Sequence, residues 1–438
     1  MKRISIFAVV FSMVVVCLLF GCQKEPGAAG SANGADPVSG AAAEPQAHIS
    51  GLYSLQGFDG WVYGAGGDNG YYSISAAVQA DGSTNIQYTD YETMQTVPLC
   101  AQVNCTHNTE TCTSWLPYNG GGTSLMMVGD ELLLVSPGQP VSYEALKERS
   151  FPHIEVCEAD GSERRKIVEF SANQQLKPPY LTDGKNLYCV LQTATEEEET
   201  LELMQVSLSE RSCSTITLLD QSKAEKIWGA AGEYILLNAL AIPGEEAIAQ
   251  MDYSVQITRL NINTLEKELL LEYKIDECRA AVFDQTIVYY DQKTDRMVLI
   301  DSITKESQVI AEDFLQDEGS LYDLNLIFYD DSKLLTSTIV QDKSGRQQRE
   351  FQILDAANKK LYNSELYYVA NDRNLPIVPI AEIEKENSYF IIYNETVKQS
   401  QGVAEEGNGY YMVSSTPQYG KITKEDYWLG IKEKKAEQ

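Results

Sequence analysis

The chain has 438 residues, with 34 Lys+Arg against 63 Asp+Glu and a formal net charge of −29. A surface this acidic excludes a nucleic-acid binder, because such binding begins with cationic side chains on phosphates. Three histidines restrict imidazole chemistry, and nine cysteines pose a choice between disulfides, metal ligation and buried thiols.

Lys2 and Arg3 precede an apolar run from Ile4 that ends Leu19-Phe20-Gly21-Cys22. A charged start, an apolar stretch and a small residue before a cysteine predict a lipoprotein signal peptide over 1–21, with lipid (palmitate or a similar acyl chain) on Cys22. The alternative is an uncleaved membrane anchor, since a run of about 18 residues just crosses a bilayer. Either way the rest of the chain is expected on the extracellular face of the cell membrane. Residues 22–50 hold QKEPGAAGSANGADPVSGAAAEPQA, in which nothing can fill a core. This predicts a flexible tether, with a reach of roughly 25–30 Å.

From 51 to 430 helical periodicity is rare. Short runs rich in Tyr, Val, Ile and Leu recur between Gly, Asp and Asn turns, among them Glu131-LLLVS, Asn186-LYCVL, Glu233-YILLNAL, Thr286-IVYY, Asn325-LIFY and Ser388-YFIIY. That is the pattern of many antiparallel strands. Several units take the form strand, turn with Asp, Asn or Ser, strand, as in Ser254-VQITRLNINTLEKELLLE. A repeating hairpin unit of about 45 residues predicts an all-β fold, a single β-propeller with about seven four-stranded blades, six or eight remaining open. The blades fall near 58–98, 123–170, 178–219, 227–273, 279–310, 321–358 and 380–429. The last is ragged, and Gly51-LYSL or Trp61-VYG is expected to complete it and close the ring. Two stretches read helically, Tyr143-EALKERS and Lys305-ESQVIAEDFLQ. A β-solenoid would need a shorter, more even repeat, and paired sandwiches would need a mid-chain linker. Residues 431–438 read as a tail.

The exit of the first blade, 98–115, reads PLCAQVNCTHNTETCTSW and carries Cys100-x4-Cys105-x-His107-x4-Cys112. Gly, Pro, Asn and Thr surround it, so a loop is expected. Three thiolates and an imidazole can close a tetrahedral shell round Zn(II) and fix a segment with little apolar surface to bury. A disulfide between two of the cysteines is the alternative. Four protein ligands leave no open position, which argues for a structural metal.

The run YTDYETMQTVPLCAQVNCTHNTETC resembles a segment of surface lipoproteins of anaerobic Gram-positive gut bacteria, which carry V-x-LC-x4-C-x-H-x4-C. The likeness is specific over 88–112 and extends loosely to a closing ITKEDYW run at 422–428. It implies a β-propeller on the cell surface with Cys100, Cys105, His107 and Cys112 as the distinctive residues. It implies no catalytic residue, and the function of those proteins is unsettled.

Cys157, Cys189, Cys213 and Cys278 stand singly among apolar residues; Cys189 with Cys213 is the first choice for a disulfide, since both fall within one blade, and buried thiols acting as small hydrophobes are the equal alternative. For catalysis only His153 remains as a free imidazole, and no nucleophile elbow, phosphate loop or HExxH run is present. Asp330, Asp331 and the Asp68-Asn69-Gly70 turn offer calcium at most weak sites, and no spacing singles out a glycosidase-type carboxylate pair. The reading leans against an enzyme. It expects a membrane-anchored module that binds an extracellular ligand, peptide or glycan, with tyrosines at blade ends as the contact surface. A carbohydrate-active enzyme on the same fold, or a structural envelope subunit, are the alternatives.

Overall fold

A computed structural model describes residues 51–55, 64–79, 81–117, 122–138, 151–195, 198–241, 253–315, 321–341, 347–370, 373–403 and 409–430. The signal peptide, Cys22, the tether, Trp61 to Tyr63 and the Tyr143 stretch lie outside these residues. Among the described residues no helix is long and apolar enough to cross a membrane.

The chain winds into a seven-bladed β-propeller of antiparallel sheets whose blades follow one another in sequence: 64–98, 124–169, 174–218, 226–274, 278–312, 325–364 and 379–423. Strand composition explains why. In blade 2 the run Glu131–Ser136 is apolar on both faces. Leu132 and Leu134 turn toward blade 1, while Leu133 and Val135 turn toward blade 3. Successive side chains point to opposite faces, so a strand packed between two sheets must be apolar throughout. Seven apolar clusters result, one for each pair of neighbouring blades, and they form a closed ring.

A shared turn between third and fourth strands marks the repeat. Asp90, Asn261, Asp301 and Asp355 each accept a main-chain N–H from three residues on. Met94, Leu265, Lys305 and Lys359 follow with positive φ. The short side chain mimics a turn of backbone and fixes the tight reversal.

Blade 7 differs. Among the described residues it has three strands, Pro379–Ile383, Ser388–Val403 and Gly409–Thr423, and the hairpin Tyr367–Ala370 with Arg373–Pro376 precedes it. The expectation that Gly51-LYSL completes it is corrected: Tyr53–Ser54 pairs instead with Gln174–Thr182, the first strand of blade 3, and Leu52 bridges to Gly232, while Trp61 to Tyr63, the other candidate, lie outside the described residues. Packing closes the ring. A Cβ on Gly66 would lie 2.6 Å from that of Ala381, so only glycine lets blades 1 and 7 approach this closely. Phe390 packs against Tyr71, Tyr91 and Tyr419 with centroids 5.0–5.2 Å away. After blade 7 the helix Lys424–Trp428 buries Tyr427 and Trp428 beside Phe328 of blade 6.

The helical reading of Lys305 onward is also corrected. Ser307–Glu312 is the outer strand of blade 5, solvated along one side and therefore polar. Cys189 and Cys213 remain unbonded, because the strand Glu199–Ser207 lies between their strands.

Candidate metal centre and adjoining cleft

The loop leaves the outer strand of blade 1, Thr96–Pro98, and returns as Trp115–Leu116, which pairs with Thr84 and Asn85. Leu99 and Cys112 are buried at its ends. Between 101 and 111 every residue is exposed except Cys105 and His107, and Val103 is 89% exposed. Burial in this loop therefore follows the four cluster residues.

Cys100, Cys105, His107 and Cys112 converge, with their donor atoms all within 4.8 Å of one another. A tetrahedral Zn–S bond of ~2.3 Å separates neighbouring sulfurs by roughly 3.8 Å, so the donor set fits that ion. His107 Nδ1 lies 3.4 Å from Cys112 Sγ. Main-chain N–H groups of Gln102 and His107 point at Cys100 Sγ and Cys105 Sγ, each at 3.4 Å. Asn104 and His107 take positive φ, which turns the chain back so that these N–H groups face sulfur. Burial opposes the charged form of Cys100, but the Gln102 N–H and the neighbouring thiols outweigh it and hold its pKa low. Burial raises the Cys112 thiol, against hydrogen bonds from Ser114. The three sulfurs are not bonded to one another. This Cys3His cluster has the donors to hold a metal ion; they suit a borderline-soft ion and not calcium, which takes six to eight oxygens.

Neighbouring elements hold the loop. Asn85 Nδ2 donates to the His107 carbonyl and Ser114 Oγ, both at 3.0 Å, and Gln79 Nε2 donates to the same carbonyl at 2.9 Å. From blade 2, Arg164 donates to the carbonyls of Thr113 and Trp115 at 2.9 and 2.8 Å. Glu155 pairs with Arg164 at 2.6 Å. Burial works to raise the Glu155 pKa, yet Arg164 overrides it and holds the carboxyl below its usual range.

Beside the loop, blades 1, 2 and 7 enclose a cleft of about 960 Å³. Its walls are the turns 67–69, 129–130, 159–160 and 382–385, with residues 97–100 closing one side. Tyr72 and Tyr88 back it with ring centroids 5.2 Å apart. Asp68, Asp130, Asp160 and Glu384 are acidic on its rim, against Lys385. Sequence reasoning missed this cleft. Glycines and turn backbone form much of it, and no side-chain motif announces that.

The other sequence candidates separate. His153 begins a strand in blade 2, with Nδ1 2.7 Å from the Phe151 carbonyl. Asp330 is engaged by Lys424 and Tyr389, and Asp331 by Lys333. Neither joins a group of three or more ligand side chains; among the described residues only the Cys/His cluster does.

No protein-family model matches the sequence, and no curated protein does. Solved structures with a similar course include a prolyl endopeptidase at 12% identity and TM-score 0.49, over 82% of this chain and 51% of that one. The chain thus spans about half of that peptidase. Others are the oligogalacturonate lyase of Vibrio parahaemolyticus (11%, TM-score 0.43, 84% and 91%) and the propeller domain of the Trilobed protease of Pyrococcus furiosus (10%, 0.42, 84% and 97%). The leaning against an enzyme is corrected here: the chain assembles a Cys3His cluster able to hold a metal ion, so catalytic potential stands. At such identities the likeness is one of fold. The chain is a seven-bladed β-propeller bearing a Cys-x4-Cys-x-His-x4-Cys metal-ligating loop, consistent with its resemblance to the gut-bacterial surface lipoproteins.

Proposed function

We propose that this is a lipid-anchored cell-surface propeller that takes an extracellular peptide or glycan in the cleft between blades 1, 2 and 7. The ion in the Cys/His loop is Zn(II). The carrying observation is the cleft itself, which combines a tyrosine wall with an acidic rim next to the loop. Aromatic faces suit sugar rings and apolar side chains, and the rim favours ligands bearing amines or ordered hydroxyls. Lipid on Cys22 and the tether would hold this surface outside the cell. Zn(II) fits because three thiolates and one imidazole match its preferred donors, and four protein ligands make the site structural.

A second reading, a carbohydrate-active enzyme, is favoured by the carboxyl groups of Asp68, Asp130, Asp160 and Glu384 in the same cleft. One experiment addresses both. Glycan and peptide arrays are probed with wild type, Tyr88→Ala and Asp130→Asn, and hits are assayed for new reducing ends or cleaved peptide. The proposal expects binding lost in both variants; product release identifies the enzyme. Ligand binding untouched by either substitution would remove the cleft from consideration. For the anchor, Cys22→Ala is expected to release the protein from membranes or leave it unprocessed.

A further inference from the structure

The metal loop and the cleft share residues. Cys100 is both a member of the Cys/His cluster and part of the cleft wall, and residues 97–99 complete that side. Leu99 adjoins both, lining the cleft next to Cys100. It is buried, and its N–H donates to the Ile86 carbonyl at 2.9 Å. Its carbonyl also lies close against blade 2: a Cβ on Gly161, which has φ +81°, would come within 2.7 Å of that oxygen. The turn seated on Leu99 carries Asp160 into the cleft. From the far end of the loop, Arg164 reaches back to Thr113 and Trp115 from the same blade 2 hairpin.

We propose that metal occupancy of the Cys/His centre sets the shape of the cleft, so that the ion acts as an effector of whatever binds there. This rests on reading the loop as a metal centre and the cleft as a ligand site. Residues 101–111 bury no apolar side chain, so nothing but the cluster and a few polar contacts opposes the entropy of releasing them. Loss of the ion frees Cys100, then Leu99, then the 159–161 turn, and the cleft loses two adjoining walls. Ligand binding in turn stabilises the closed loop and tightens metal, since coupling between sites is reciprocal.

The test is hydrogen exchange on the full chain, with Zn(II) alone as the probe. Metal-loaded and chelator-stripped protein are compared, together with His107→Ala in the presence of Zn(II) and the exposed-site control Val103→Ala. Stripping is expected to speed exchange about tenfold or more over 99–115, 159–161 and 129–130, with blades 4 to 6 unchanged. His107→Ala should reproduce that pattern and Val103→Ala should not. If Zn(II) binds but the change stays within 100–112, the coupling is wrong and the metal reading survives. If wild type takes up no Zn(II), the metal reading itself falls, and the coupling with it.

Discussion

The Cys/His loop and the seam between blades 6 and 7 are ordered in opposite ways. At the seam, Phe328, Tyr389, Tyr427 and Trp428 form a buried aromatic block, with Phe328 and Trp428 stacked at 5.5 Å. Its polar atoms are paired within it: Trp428 Nε1 donates to Tyr389 Oη at 3.1 Å and Tyr427 Oη to the Ile377 carbonyl at 3.0 Å. The loop buries only its ends and relies on donor atoms gathered at a point. Apolar area holds a region whatever the solution contains, whereas a ligand cluster holds it only while its ion is present. The seam therefore carries the fold, and the loop is where the supply of a metal ion in solution can act.

Breaking the seam should have the largest effect. Trp428→Ala removes the stacked ring and a hydrogen bond, with an expected cost of about 3–5 kcal/mol in a denaturant titration. Deleting 426–438 should cost more, because Tyr427 goes as well; a loss no larger than that of a frayed tail would refute the seam's role.

Arg164→Ala sharpens the comparison from the loop's side. It strands Glu155 and frees two loop carbonyls, for an expected loss of about 3 kcal/mol, the low end for a broken buried pair because both side chains keep 17% exposure. The Glu155 pKa is depressed in the folded state. Its stabilisation is thus present above the ordinary glutamate pKa and is lost as pH falls through the folded value. The gap between wild type and Arg164→Ala should close on acidification.

His107→Ala should be smaller still in global terms: metal lost, far-UV circular dichroism unchanged, and the seven apolar interfaces intact. A disulfide-stapled loop predicts another outcome, with His107→Ala nearly silent and reductant, not chelator, disturbing the protein.

The smallest effect belongs to the seam's charged rim. Lys424 bridges Glu382 at 2.5 Å and Asp330 at 3.4 Å. Asp284 lies near both carboxylates, and although its turn reaches solvent, desolvation and then Asp330 and Glu382 raise its pKa. An acid with a raised folded pKa destabilises when ionised. Asp284→Asn should therefore raise Tm slightly at neutral pH, and the gain should vanish as pH falls below about 4, the ordinary aspartate pKa.

Much of the fold could be read from the chain because each blade repeats the same local chemistry. Apolar strands such as Leu132–Val135 and turns such as Asp301 to Lys305 say where a hairpin bends and what it packs on. Ser307–Glu312 misled because an outer strand may be half polar, and its Lys and Glu neighbours favour helix as readily. The pairing of Tyr53–Ser54 with blade 3 was hidden for another reason: it is two residues meeting a partner over a hundred positions away. At the site, the four ligand side chains announced themselves by type and spacing, while the cleft depends on how four turns from three blades meet.

The most direct test of the central claim is metal content by mass spectrometry on protein purified without a histidine tag, beside a thiol count under denaturing conditions. The account predicts about one equivalent of Zn(II) per chain, with Cys100, Cys105 and Cys112 all reduced once the ion is removed. Less than ~0.1 equivalent of any transition metal, with two of these cysteines oxidised, would contradict it and leave a disulfide in the metal's place.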